Sequence, residues 1–497
     1  MADPDERPDP DLLSKAEVRQ RASAGIFYIA SSGFTGVVIG FVSNLLLARM
    51  LTPRDFGLVA VGATVATFSG ALVEGGLGSG MIRRAESPTR PDLRALNGIQ
   101  LAIALAICVP TIAVALQFGL VGAITAIMVV SLPIVTLQTP GRVLLIRQMK
   151  YERQAIVDLS ALATSQAFSI AAVALGAGVW GLATGTVART VVGTVMMGSV
   201  GPGVYLPSFK GWRRLGGVMR FGLSFQSNWI VIVFGDQGLN ATVGSISGVH
   251  ALGLWSLAKK TLLVPSLLFN SLAGVVFPAV SNLLAHGDDP ARTVLRTVRL
   301  SAIAATLVFV PFVAASPELI PFLFGAQWSK AADVIPLVVL AALIEGPVSA
   351  GIDGYLFALG RPGPVLRASA ANAFLMIVVT APLLSTLGVT AIGIGALCGG
   401  IAQALVLDRT IRRVANIHPI RSVLAPVAAG CLAGGMGLAI SHARPHSFSF
   451  AVLAGTAGLA LDLVLLMLLC REDLSDSLRF GVASIRDAAA RLQTRSP

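Results

Sequence analysis

Residues 25–48 contain no charged side chain, and runs of this kind recur along nearly the whole chain. A helix rising 1.5 Å per residue needs about 20 apolar residues to cross a hydrocarbon core of roughly 30 Å. Several runs reach that length, while no alternating apolar and polar pattern of the outer-membrane-barrel kind competes with them. The chain therefore reads as an all-α integral membrane protein. Only 12% of its 497 residues are charged, about half the share in an ordinary soluble domain. The first run is too long for a signal-peptide core and follows a charged leader of 24 residues, so it is expected to be retained as a span.

Apolar runs bounded by turn and charge signals predict fourteen spans: 25–48, 56–80, 96–118, 120–141, 155–175, 178–200, 218–240, 252–282, 297–315, 333–358, 365–386, 388–408, 422–441 and 447–470. Lys and Arg sort between the two sets of connections that this count creates. With flanking turns included, the set that contains the N-terminus carries 30 of the 37, the opposite set 4, and 3 lie inside spans. The positive-inside rule then puts both termini in the cytoplasm. The net charge of +12 is thereby explained by topology, and no nucleic-acid partner is implied. The division expected is a leader at 1–24, an N-lobe at 25–200, a cytoplasmic linker at 201–217, a C-lobe at 218–408, two further helices at 409–470 and an amphipathic tail at 471–497. In that tail Leu474, Leu478, Val482, Ile485 and Leu492 alternate with arginines, a spacing suited to the anionic inner leaflet.

A shift of 196 residues superimposes Asn44 on Asn240, Gly57 on Gly253, Leu58 on Leu254, Leu72 on Leu268 and Gly78 on Gly274. Repeats of six spans each share one orientation, so they would be related by an axis along the membrane normal.

Cys108, Cys398, Cys431 and Cys470 sit in apolar runs without paired spacing, and the five histidines are scattered singly. No metal site, cofactor site or catalytic set can be assembled from them. A phosphate-binding GxxxxGK[ST] loop is absent from the sequence, so nucleotide hydrolysis in this chain is not expected. An enzyme is not indicated.

A charge at mid-bilayer costs about 2.5–3.5 kcal/mol on insertion scales, so the few charges inside spans are the first candidates for function. The cations are Arg189, Lys259 and Lys260, with Arg49 at the outer end of the first span. Lys259 and Lys260 diverge by about 100° on a helix, so one would face a cavity while its neighbour does not. Arg49 could equally snorkel to the interface. The carboxylates Glu74, Asp236, Glu345 and Asp353 are candidates for coupling or gating, and Pro347 beside Glu345 marks a helix break of the type that lines transporter sites. Asn44, Gln226, Asn228 and Asn240 could line a hydrated path or simply bond neighbouring helices.

The stretch Leu45 to Arg84 resembles the first hairpin of the polysaccharide transporter family. These are the O-antigen and exopolysaccharide flippases of the multidrug, oligosaccharidyl-lipid and polysaccharide exporter superfamily. Leu51, Pro53, Asp55, Phe56 and Gly57 match its turn, followed by Glu74, Gly76 to Gly78 and Arg83. "ALGLWSLAKKTLLVP" and "VVFPAVSNL" are similar to the signature of its second lobe. Where family members often have Asp and a Tyr-Arg pair, this chain has Glu74 and Lys259–Lys260.

The resemblance implies two six-helix lobes plus two peripheral helices in a bacterial cytoplasmic membrane, alternating between inward-open and outward-open states. The implied substrate is an oligosaccharide on undecaprenyl diphosphate, moved to the outer leaflet for lipopolysaccharide or exopolysaccharide synthesis. Membrane lipids, a polysaccharide polymerase and chain-length machinery are the implied partners. Arg189, Lys259, Lys260 and Arg49 would meet the diphosphate. The alternative is a cation-coupled multidrug exporter of the same superfamily, for which the carboxylates would take the leading role.

Overall fold

The computed structural model describes residues 15–84, 86–210, 215–263, 280, 283, 290–443 and 448–470. The leader up to residue 14, the tail at 471–497 and most of "VVFPAVSNL" lie outside the described residues. Among those described there is no strand. Among the described residues ten helical segments are long and apolar enough to cross a membrane, and large apolar side chains such as Phe34, Val109, Phe374, Leu432 and Leu468 stand exposed on them. Such surfaces suit lipid and not water. The chain is a multi-pass, all-α membrane protein, and it divides into two compact units, residues 1–264 and 265–497.

The first unit contains α1 (Lys15–Met50), α2 (Pro53–Glu74), α3 (Leu77–Arg83), α4 (Arg90–Ala115), α5 (Gly119–Thr136), α6 (Thr139–Arg147), α7 (Tyr151–Ala172), α8 (Val179–Ser199), α9 (Gly216–Ile246) and α10, followed over residues 248–263. Leu58, Ile124, Met128, Val179 and Ala183 form one core of this unit, joining α2, α5 and α8. Leu77, Met81, Leu96, Val143 and Leu215 form another.

The Asp55 charge in the α1–α2 turn is accounted for by capping. The Thr52 hydroxyl accepts from the Asp55 backbone at 3.3 Å, and the Asp55 carboxylate accepts from the Thr52 backbone at 2.9 Å. This reciprocal box satisfies two orphan amides at the helix start, with Pro53 preset at the first position. Thr89 and Asp92 repeat the device at α4. At the other end of α2, Gly75 and Gly76 adopt φ values of +47° and +73°, which only a residue without Cβ takes cheaply, and α3 departs on a new axis. The carbonyl end of α3 is tied off by the Arg147 guanidinium, which donates to the Met81, Ile82 and Arg84 carbonyls at 3.3, 3.1 and 2.6 Å.

Where α2 meets α10, backbone lies on backbone. A Cβ on Gly57 would stand 1.6 Å from the Val249 carbonyl oxygen, and one on Gly253 would stand 1.7 Å from the Pro53 oxygen. Gly57 and Gly253 are 196 positions apart, and so are Pro53 and Val249. The contact is therefore reciprocal under the shift read from the sequence.

The second unit contains α11 (Ala291–Phe324), α12 (Ser329–Ala332), α13 (Ile335–Ala358), α14 (Gly363–Leu387), α15 (Thr390–Ala415), α16 (Pro419–Ala443) and α17 (Phe448–Leu469). Val294, Val298, Val348, Ile352, Leu407 and Ile411 bind α11, α13 and α15 into its core.

Candidate substrate-binding site

The first unit holds a cavity of about 540 Å³ between α1, α6, α7, α8 and α10. Three cations line it: Arg142, Arg189 and Lys260. Among the described residues the one lining carboxylate is Asp158, which Arg142 grips with both guanidinium arms at 2.5 and 3.5 Å. Arg189 stands within electrostatic reach of both members of that pair. The Lys260 ammonium donates to the Asn44 side-chain oxygen at 3.1 Å and sits 5.0 Å from the centre of the Phe56 ring. Neither of those partners carries charge, so two of the three cations keep an uncompensated charge. Two such charges surrounded by helices of membrane length are costly unless an anion visits.

Lys259 is directed elsewhere. Its ammonium pairs with Asp236 at 2.7 Å, and both side chains remain about two-fifths exposed. The divergence of the two lysines is thus resolved with Lys260 on the cavity and Lys259 on α9. Arg49 is exposed in the last turn of α1 and is not among the residues that line the cavity. Asn44 joins the cavity wall, where its own amide donates to the Gly40 carbonyl at 2.7 Å. Its counterpart under the 196-residue shift, Asn240, also accepts from α10, here from the Trp255 indole at 3.1 Å. The side chains of Gln226 and Asn228 lie outside the described residues.

Glu74 lines a second cavity, of about 480 Å³, together with Ser79, Gln100, Thr139, Arg142 and Gln154. Arg142 and Gln154 line both cavities.

Glu345 belongs to the second unit. Its carboxylate accepts from the Asn372 amide at 2.9 Å, Asn372 also donates to the Gln403 oxygen at 2.7 Å, and Gln403 donates to the Ser349 hydroxyl at 2.9 Å. The chain of bonds ties α13, α14 and α15 together. Asp353, two turns further along α13, has one carboxylate oxygen buried with no hydrogen-bond partner.

Sequence reasoning passed over four of these residues as site members. The span limits leave Arg142 in the connection after 120–141, because Pro140 and Gly141 end the apolar run there, and place Asp158 close to the start of 155–175. That same break is what starts α6 and carries Arg142 onto the cavity. Asn372 and Gln403 are lone polar residues in apolar runs, and their partnership is visible only once α14 and α15 pack.

A family model described as "Polysaccharide biosynthesis protein" matches residues 46–333. The chain is 26% identical over 335 residues to the succinoglycan biosynthesis transport protein ExoT of Rhizobium meliloti (strain 1021), covering 66% of this chain and 67% of that one. It is 21% identical over 394 residues to the lipopolysaccharide biosynthesis protein WzxC of Escherichia coli (strain K12), covering 75% and 78%. Among solved structures it is similar to the lipid II flippase MurJ in an inward-closed conformation, with a TM-score of 0.66 at 14% identity over 89% of this chain and 99% of that one. An inward-facing multidrug MATE transporter matches with a TM-score of 0.59 at 15% identity, over 79% and 95%. At such identities the likeness shows the fold alone. The match to the family model covers more than half the chain, and the comparisons taken together point to transporter families and not to catalytic enzymes. The chain belongs to the polysaccharide biosynthesis protein family.

Proposed function

We propose that the protein is a flippase that carries undecaprenyl-diphosphate-linked oligosaccharide from the inner to the outer leaflet of a bacterial cytoplasmic membrane. The observation that carries this reading is the convergence of Arg142, Arg189 and Lys260 on one cavity against Asp158, the single lining carboxylate among the described residues. A diphosphate needs cationic partners in a low-dielectric setting, and charge-assisted bonds to phosphate oxygens are the strong kind. The names of ExoT and WzxC, and the lipid II carried by MurJ, support the same class of cargo. A cation exporter would present its cargo with a cavity of the wrong sign, so that alternative is supported less.

The proposal includes fourteen spans, two six-helix lobes with two further helices, and cytoplasmic termini, which the Lys and Arg distribution supports. The reciprocal contact of Gly57 and Gly253 supports a two-fold relation between the hairpins. In this arrangement Arg142, Arg189 and Lys260 hold the diphosphate while the lobes alternate access. Outward movement of a charge of about −2 against an inside-negative potential gains roughly 4.6 kcal/mol per 100 mV, from about 2.3 per elementary charge. The potential can therefore set the direction, with Glu345 and Asp353 as the sites for any ion coupling. The polymerase and chain-length machinery would act on the delivered repeat unit at the outer face.

The test is a deletion strain restored with wild type, Lys260→Ala, Arg189→Ala or Lys259→Ala at matched protein level. Wild type and Lys259→Ala are expected to clear the carrier-linked oligosaccharide from the inner leaflet, and the other two to leave it trapped. Equal clearance by all four would remove the cationic cavity from the mechanism.

A further inference from the structure

The second cavity differs from the first in sign and in what its walls still need. Gln100 is 1% exposed, and its side-chain oxygen has no hydrogen-bond partner; the Gln154 oxygen is buried without one as well. The Glu74 carboxylate and the Ser79 and Thr139 hydroxyls make no hydrogen bond within the described residues. Arg142 is already engaged by Asp158. Buried polar groups are almost always satisfied, and in hydrocarbon each orphan costs several kcal/mol. Two such buried oxygens, on Gln100 and Gln154, face one space of about 480 Å³ beside the exposed Glu74 and the part-buried Ser79 and Thr139, and they point to an occupant that donates hydrogen bonds.

The chemistry of the wall selects that occupant. A carboxylate accepts two donors, an amide gives and takes, and a hydroxyl does both. Vicinal hydroxyls of a pyranose present the complementary set. A phosphate is disfavoured beside Glu74, whereas the neighbouring cavity offers it Arg189 and Lys260. Among the described residues no aromatic ring lines the second cavity, and the polar groups that line it are hydrogen-bonding ones. Because Arg142 and Gln154 belong to both walls, one ligand can occupy both spaces, phosphate on one side of Arg142 and sugar on the other.

We propose that the cavity lined by Glu74, Ser79, Gln100, Thr139 and Gln154 is the subsite for the carrier-proximal sugar, set beside the diphosphate site. This rests on the flippase reading above and deepens it: Glu74, considered from the sequence for coupling, is assigned to ligand recognition. A site whose selectivity comes from hydroxyl partners rejects analogues that lack them, because its own polar groups are then left unpaired.

The experiment is calorimetry on the full chain in lipid nanodiscs with three probes: inorganic pyrophosphate, and the methyl diphosphate esters of glucose and galactose at carbon 1. Wild type is expected to bind one of the hexosyl probes at least ten-fold more tightly than pyrophosphate. Glu74→Gln and Ser79→Ala are expected to erase that increment while changing pyrophosphate affinity less than two-fold. Arg189→Gln is expected to weaken all three. If pyrophosphate binds but neither hexosyl probe gains, or if both subsite variants keep the gain, the sugar subsite is overturned and the diphosphate site stands. A sodium-dependent signal lost in Glu74→Gln, with no sugar increment, overturns it in favour of a cation. If wild type binds no probe, the diphosphate reading fails and the subsite falls with it.

Discussion

Substitution of Gly57 by Ala tests the α2–α10 crossing directly. The added Cβ would stand 1.6 Å from the Val249 oxygen, while real Cβ contacts essentially never fall under 3.0 Å, so the helices must part by about 1.4 Å. Forcing such a shift in a packed interior costs about 1–3 kcal/mol. Gly253→Ala faces the same demand from the Pro53 oxygen. One displacement relieves both contacts, since they lie on the same crossing. The double variant should therefore cost little more than either single, a strong departure from additivity. For a unit of this size 1 kcal/mol corresponds to about 2–4 °C, so each single change should lower the melting midpoint by roughly 2–12 °C in a tryptophan-fluorescence melt of detergent-solubilised protein. Gly435→Ala, whose Cβ would meet nothing within 4 Å, is the neutral control. Singles that melt with wild type, or a double whose loss equals the sum, would refute the crossing as described.

Arg147→Ala strips the Met81, Ile82 and Arg84 carbonyls of their donor and should cost about 2 kcal/mol; limited proteolysis between α3 and α4 should speed up in step with the melt. Asn372→Leu leaves the Glu345 carboxylate and the Gln403 oxygen without their shared donor, and should lower stability by about 2–4 kcal/mol. Adding Glu345→Leu to Asn372→Leu should return much of that loss, and a double that is less stable than Asn372→Leu alone would contradict the pairing.

Spans, the lipid-facing surface and the α1–α2 turn were legible because they depend on local patterns. Twenty apolar residues in a row, or Thr52 three before Asp55, carry their own physics. The glycines at 57 and 253 were legible as a correspondence, but their function was not: only packing shows that each exists to admit the other's backbone. Arg189 and the two lysines could be named as costly, yet which lysine faces inward depends on the rotation of α10 about its axis, and no local signal reports that. Arg142 was hidden by the opposite error. A proline and a glycine after an apolar run read as the end of a span, when here they start a short helix that turns its arginine into the bundle. Glu345 was visible, whereas its partners on α14 and α15 are far away in sequence and ordinary in type.

In the bonds that join Glu345, Asn372, Gln403 and Ser349, Asn372 gives both ways through its nitrogen, while Gln403 takes through oxygen and gives through nitrogen. An amide nitrogen does not hand its proton on as a hydroxyl or a water does. The row is therefore an insulator and not a wire. It can hold the carboxylate in position and pull three helices together, but it cannot conduct a proton to or from it. The Oε2 atom is the one accepting from Asn372, so any proton that Glu345 takes up must arrive by a route other than this row of amides.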